Sequence, residues 1–230
     1  MHTYCINLER RPDRRRDVEK EFHREELDLV EFFTATDGCS HTKMNKGECG
    51  CTDSHIRVWR DIVKQGYPYA LVFEDDARLV SHFREKLDQI ISKLPDDWDY
   101  VNLGSIPGFR LFEKRISNKI IKGSSTTAHC YLISQKGAKH ISQWNTADVP
   151  FIIDMQLART PLNSFYTQDS LATQNIAGWP IAGFIFSVLD GNLGVFRKSF
   201  DFDFGIRTLW PIFIFLIYIC IRIQKSGLQF

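Results

Sequence analysis

Three carboxylates in a row, Glu74, Asp75 and Asp76, follow directly on the apolar run Tyr69-Ala70-Leu71-Val72-Phe73. Adjacent acids repel one another, so a strand that delivers three of them to one place is costly unless a cation neutralises them. Oxygen donors in this number suit Mg²⁺ or Mn²⁺, which takes one or two protein carboxylates together with the phosphate oxygens of a substrate. Strand side chains alternate, which places Glu74 and Asp76 on one side and turns Asp75 away. Taken alone, the triplet equally describes a solvated acidic loop; the buried strand ahead of it gives it weight.

Two further clusters carry reactive residue types. Cys39, His41, Cys49, Cys51 and His55 are zinc ligands by type. Cys49-Gly50-Cys51 leaves a single residue between two thiols, however, and His55 falls where a helix is expected, so free thiols and a loop histidine are the preferred reading. Arg10, Arg11, Arg14, Arg15 and Arg16 are interleaved with Glu9, Asp13, Asp17 and Glu19. Most of these form a solvated helix face, from whose start one or two arginines can reach an anion. Asp154, a lone acid in Ile152-Ile153-Asp154-Met155, suits either a helix cap or a proton acceptor. Serine-hydrolase, P-loop and dinucleotide-binding glycine motifs are missing, which disfavours those chemistries.

The elements that must position these groups alternate. A strand over 4–8 precedes a charged amphipathic helix over 9–28, in which Val18, Phe22 and Leu27 recur at near-helical intervals. A short strand over 29–35 ends at Thr36-Asp37-Gly38, and 39–51 reads as loop. A helix over 54–64 stops at Gly66. The continuous apolar run over 69–73 marks a strand buried on both faces. A helix over 83–94, strands over 99–103, near Ile120 and over 127–134, and a helix over 136–144 complete the pattern. Such alternation predicts an open α/β sheet with its ligand at the carboxyl ends of the strands.

Composition agrees with one large domain plus an appendage. The chain has 230 residues, 43% of them hydrophobic, with only 14 Gly and 8 Pro, which excludes disordered and collagen-like classes. Twenty-nine basic against 28 acidic residues leave a net charge of +1, so no general nucleic-acid partner is expected and an anionic ligand must be met locally.

In this order the pieces resemble glycosyltransferase family 25, the lipooligosaccharide and procollagen galactosyltransferases. The resemblance covers 4–175 and is carried by Ile6-Asn7-Leu8 with Arg10-Arg11-Pro12-Asp13-Arg14, Ala35-Thr36-Asp37-Gly38, and Gly47-Glu48-Cys49-Gly50-Cys51 with Ser54-His55 and Trp59. It continues through Leu71-Val72-Phe73-Glu74-Asp75-Asp76, Asp97-Trp98-Asp99, Leu103-Gly104, Tyr131-Leu132-Ile133-Ser134 with Gly137-Ala138, and Asp154. The resemblance implies a GT-A-like α/β fold, an open, mostly parallel sheet flanked by helices, and a UDP-sugar donor, galactose first and glucose second. It also implies Mn²⁺ (or Mg²⁺), inversion at the anomeric carbon, and a hydroxyl of a glycan or protein as acceptor. Carried over residue by residue, Asp76 is the metal ligand and Glu74 lies near metal or ribose. Asn7, Arg11, Arg14 and Asp37 lie near the nucleotide, Ser54, His55 and Asp75 beside the donor, and Asp154 is the base. The alternative is a noncatalytic, membrane-associated binding protein that keeps the fold.

The far end reads differently. Thirteen uncharged residues over 209–221 lie between Arg207 and Arg222, with Lys225 beyond. As a helix the run is about 20 Å long, short of the roughly 30 Å hydrocarbon core. Shallow membrane association through an apolar tail is expected in preference to a span, with a docked core segment as the competing reading. The divisions are a catalytic domain over 1–175, an extension over 176–205 and a tail over 206–230. Six cysteines and no basic, apolar leader point to a reducing cytoplasmic face.

Overall fold

The computed structural model describes residues 1–41, 43–104 and 110–174, with the backbone alone at 110–113. The described residues belong to one compact unit, Met1–Asn175. The tail over 209–221 lies outside the described residues. Among the described residues no helix is long and apolar enough to cross a membrane.

This unit is built on an eight-stranded sheet in the order β2-β1-β3-β8-β5-β9-β7-β6. Its strands are β1 (His2–Asn7), β2 (Glu31–Thr34), β3 (Tyr69–Glu74), β5 (Tyr100–Asn102), β6 (Arg110–Arg115), β7 (Ile120–Ser125), β8 (Cys130–Ser134) and β9 (Ser164–Thr167). Among the described residues six of these run one way, while β7 and β8 run against them. Two short strands, β4 (Ala77–Leu79) and β10 (Ala172–Gln174), pair separately. The helices are α1 (Pro12–Arg24), α2 (Lys46–Gln65), α3 (Phe83–Ile91), α4 (Gln135–Ile141) and α5 (Ile153–Arg159).

Strand alternation divides the core into two layers. Cys5, Leu71, Phe73, Val101, Leu132 and Phe165 point to the face covered by α1 and α3, where Val18, Phe22, Phe83 and Leu87 meet them. Their neighbours Tyr4, Ile6, Ala70, Val72, Tyr100, Tyr131 and Ile133 point the other way, onto Ile56, Trp59 and Ile62 of α2 and onto α4 and α5. Each fully buried large apolar side chain contributes about 1.5–3 kcal/mol. A sheet covered on both faces needs the continuous apolar strands that the sequence displays.

Strands β4, β6, β9 and β10 and helix α5 add to the expected pattern, and one expected element starts elsewhere. Helix α2 starts at Lys46, inside the stretch read as loop. Asn45 accepts a hydrogen bond from the Glu48 amide while the Glu48 side chain accepts from the Asn45 amide, a reciprocal cap that fixes the start. Gly50 disguises the helix for a physical reason: a Cβ there would lie 2.5 Å from the Thr36 carbonyl oxygen, so a glycine in the helix lets the loop after β2 close against it. The expected stop at Gly66 is present, in the left-handed conformation with φ 75°.

Candidate active site

The parallel strands β1, β3 and β5 end together, and the antiparallel β8 begins at the same edge, where Phe73 pairs with Cys130 and the Glu74 amide donates to the His129 carbonyl. Asn7, Glu74, Asn102 and His129 therefore line one rim. Period-2 alternation divides the polar side chains of this rim between the two faces of the sheet. Asn7 continues the Cys5 face and Asp75 the Phe73 face, so the two meet under α1: Asn7 Nδ2 donates to Asp75 Oδ2 at 2.7 Å, and an Arg14 guanidinium nitrogen donates to Asp75 Oδ1 at 2.9 Å.

Glu74 continues the opposite face and meets α2. His55 Nε2 lies 3.1 Å from Glu74 Oε1, and Cys51 Sγ lies 3.7 Å from the same oxygen. The other imidazole nitrogen is held by the Tyr131 hydroxyl at 2.8 Å, and Trp59 Nε1 donates to that hydroxyl at 3.0 Å. Trp59, an obligate donor, leaves the Tyr131 proton free for His55 Nδ1, which turns the Nε2 proton toward Glu74. Burial pushes the Glu74 carboxyl up, yet the hydrogen bond and charge of His55 hold it below its ordinary value.

Asp76 is the unbalanced member. The strand ends at Glu74 and the chain turns through Asp75 and Asp76, so the expected alternation does not extend to Asp76. The same Arg14 nitrogen that meets Asp75 lies 3.6 Å from Asp76 Oδ2. Asp76 Oδ1 is buried and finds no hydrogen-bond partner among the described residues. Burial, then the charge of Glu74, push the Asp76 carboxyl up to about 7, against the pull of Arg14. Asp154, half-buried in the first turn of α5, is raised well above the usual range by burial and then by the charges of Glu74 and Asp76. An acceptor without a donor beside further carboxylates fits a hard divalent cation by donor type, and oxygen ligands favour Mg²⁺ or Mn²⁺.

The remaining sequence candidates divide. Asn7, Arg14, His55, Glu74, Asp75 and Asp76 meet at the rim, and Asp154 lies within electrostatic reach of Glu74 and Asp76. Arg11 pairs instead with Asp13 at 2.7 Å, and Asp37 takes both of its short contacts, 2.8 and 2.9 Å, from Arg10. Ser54 is consumed by the backbone: its hydroxyl donates to the Gly50 carbonyl at 2.6 Å and accepts from the Thr36 amide at 2.9 Å. The expectation of free thiols is corrected at Cys39 and Cys49, which form a disulfide across the turn into α2; Cys5, Cys51 and Cys130 are free. With that bridge in place, cysteine usage no longer supports a reducing compartment.

Sequence reasoning weighed Cys51 only within a zinc set that it did not prefer, and gave Tyr131 and His129 no role in the site. The i, i+4 spacing of Cys51 and His55 was the available signal once the segment is helical. His129 is fully buried, and its ring abuts Gly104, where a Cβ would lie 2.1 Å from His129 Nε2.

Residues 1–157 match the family model described as glycosyltransferase family 25 (LPS biosynthesis protein), and the chain belongs to that family. Among curated relatives, a glycosyltransferase 25 family member of Aedes aegypti is 32% identical over 167 residues, covering 61% of this chain and 27% of that protein. Procollagen galactosyltransferase 1 of Danio rerio is 29% identical over 127 residues, covering 44% and 21%. The inactive glycosyltransferase 25 family member 3 of Homo sapiens is 31% identical over 126 residues, covering 44% and 21%. The chain thus spans between a fifth and about a quarter of the length of these relatives. A solved glycosyltransferase involved in glycosylation of the major capsid of PBCV-1 overlaps 75% of this chain and 92% of its own, at 9% identity and a TM-score of 0.46. An overlap that loose bears no weight.

Proposed function

We propose that this chain is a cation-dependent, inverting hexosyltransferase that moves galactose, or glucose as second choice, from a UDP-sugar to a hydroxyl of a glycan or protein acceptor. The observation that carries the reading is Asp76: a buried carboxylate oxygen without a hydrogen-bond partner among the described residues, just past the carboxyl end of β3 and close enough to Glu74 to feel its charge. Family membership supports the transferase class.

Asp76 would be the first ligand of Mn²⁺ or Mg²⁺, with Glu74 as the second carboxylate of the set. When bound, such a cation offsets the charge that develops on a departing diphosphate. The chain's own residues do the rest. Arg14, anchored on Asp75, presents a guanidinium at the rim where diphosphate oxygens would lie. Asn7 fixes Asp75 on the other side, so the acidic turn is held before any ligand arrives. His55, locked by Tyr131 and Trp59, sets the orientation of Glu74. Asp154 accepts the proton of the acceptor hydroxyl as that oxygen attacks the anomeric carbon opposite the leaving diphosphate, a geometry that inverts the centre. Its elevated proton affinity suits that role.

A second reading has one observation behind it, the relatives named inactive. A chain that keeps three adjacent carboxylates keeps their repulsion, which favours turnover. The deciding experiment is a screen of UDP-sugars for hydrolysis by the chelator-treated chain with Mn²⁺ restored, alongside Asp76→Asn. Mn²⁺-dependent release of UDP that is lost in the variant supports the transferase reading. Binding of a UDP-sugar without turnover supports the noncatalytic one, and undiminished activity in Asp76→Asn overturns the role of Asp76.

A further inference from the structure

Beyond the carboxylates, the same rim holds a second donor set of different chemistry. Cys51 and His55 are one helical turn apart on α2, and both face Glu74 at the end of β3. One donor atom from each of the three lies within 4.8 Å of the others. Their separations can be compared with those a metal would impose. Zinc bonds to sulfur at about 2.3 Å and to nitrogen or oxygen at about 2.0–2.2 Å. In a tetrahedron those bond lengths set a nitrogen–oxygen edge of roughly 3.4 Å and a sulfur–oxygen edge of roughly 3.6 Å. The His55 Nε2 to Glu74 Oε1 distance is 3.1 Å and the Cys51 Sγ to Glu74 Oε1 distance is 3.7 Å. Two edges thus need adjustments of a few tenths of an ångström, and the third, between Cys51 Sγ and His55 Nε2, is within 4.8 Å.

We propose that Cys51, His55 and Glu74 bind a divalent cation of the zinc class, three protein ligands with the fourth position open. A thiolate, an imidazole and a carboxylate together select a borderline-soft ion over Mg²⁺ or Ca²⁺, whose preference is for oxygen alone. The supporting shell is already in place. The His55 ring is clamped through Nδ1 by the Tyr131 hydroxyl, itself fixed by Trp59, the arrangement by which ligating histidines are oriented. A hydroxyl accepts as readily as it donates, so it serves the metal-bound tautomer, in which Nδ1 carries the proton and Nε2 the cation. Access is also provided, since Cys51 and Glu74 are both half-buried and not sealed. Binding releases one proton, that of the Cys51 thiol, to solvent, while the imidazole stays neutral as its proton moves from Nε2 to Nδ1; no redox step is involved.

This site is independent of the transferase reading, since metal capture needs no substrate. Glu74 is shared by the two donor sets, so a soft cation here draws that carboxylate toward α2. The probe is Co²⁺ added to the chelator-treated full chain, followed by absorption. The expected result is a thiolate-to-cobalt charge-transfer band that saturates at a single equivalent, is displaced by Zn²⁺ and is absent in Cys51→Ser. As a measurement that needs no variant, Zn²⁺ should slow alkylation of Cys51 at least about tenfold, read by peptide mass spectrometry, while Cys5 and Cys130 serve as buried internal references. Cobalt binding without a thiolate band, a band that survives in a folded Cys51→Ser protein, or alkylation of Cys51 at an unchanged rate under saturating Zn²⁺ overturns the proposal.

Discussion

The two ends of the same sheet are built on opposite principles. At the end where α4 begins the charges are paired: the Asp99 carboxylate meets Lys136 at 2.9 Å and accepts the Asn163 amide at 2.9 Å, and Ser134 caps α4 by accepting the Gly137 amide at 3.0 Å, while one neutral oxygen, Asn163 Oδ1, is buried there without a hydrogen-bond partner among the described residues. At the end where β3 stops, Glu74, Asp75 and Asp76 share one guanidinium and one imidazole, and the carboxylate of Asp76 keeps an unpartnered oxygen. Both ends use the same strands and the same helices. Their difference separates an end whose carboxylate is paired with a lysine from one where three carboxylates share a single guanidinium and a single imidazole.

Breaking this contrast should give effects of different kinds at the two ends. The largest is expected at Asp154: Asp154→Asn should cost about 10²–10⁴-fold in transfer, the range of a lost general base, with UDP-sugar affinity by calorimetry retained. Collapse of donor affinity with the fold intact would place Asp154 in the donor site instead. Next, Asp76→Asn should lose about 10²–10³-fold in Mn²⁺-dependent donor turnover without lowering the melting temperature. The same variant should also abolish the thermal shift given by Mn²⁺, which for the parent chain is about 2.7 kcal/mol at a hundredfold excess over Kd. A shift that survives the substitution would move the cation elsewhere.

At the closed end the effects should appear in stability. A Cβ on Gly137 would sit 2.5 Å from the Asp99 carbonyl oxygen, a backbone atom that cannot swing aside. Gly137→Ala should therefore cost about 1–3 kcal/mol, or roughly 2–4 °C of melting temperature per kcal/mol, with activity per folded molecule unchanged. At the open end, by contrast, Gly104→Ala meets a side chain, His129, and should be relieved by His129→Ala, whereas no side-chain truncation relieves Gly137→Ala. The smallest effect is expected at Asp99→Asn, about 1 kcal/mol, the difference between a charged and a neutral hydrogen bond. A loss of turnover there with unchanged melting would erase the distinction between the ends.

Much of the open end is visible in the sequence, because its signal is local: an apolar run over 69–73 feeds three acids without interruption, and the motifs around Asn7, His55 and Asp154 stand in the order of one family. What escaped depends on contacts far along the chain. Strand β9 has only four residues, too few to show alternation, and is defined by pairing with β5 and β7. The Cys39–Cys49 bridge could not be read because spacing does not determine connectivity. Arg11 and Arg14 look equivalent in the basic run, and only the pitch of α1 sends Arg14 inward to Asp75 while Arg11 stays with Asp13. The start of α2 was hidden by Gly50, a residue selected there for closeness and not for helix propensity.

Placing β8 between β3 and β5 also sets a timetable. During synthesis β1 and β3 emerge early and can pair, but Leu71, Val72 and Phe73 retain a bare edge until 130–134 has been made, and β5 waits for β9 at 164–167. Contacts that far apart along the chain form slowly, since the intervening loop must close before any pairing rewards it. A nascent chain stalled before residue 130 therefore carries an apolar strand with an open hydrogen-bonding edge, the kind of surface that chaperones cover and that seeds aggregation. The acidic turn after β3 is a charged stop placed directly behind that strand. Charges in that position discourage edge-to-edge pairing, so the residues assigned to the cation also guard the half-made chain.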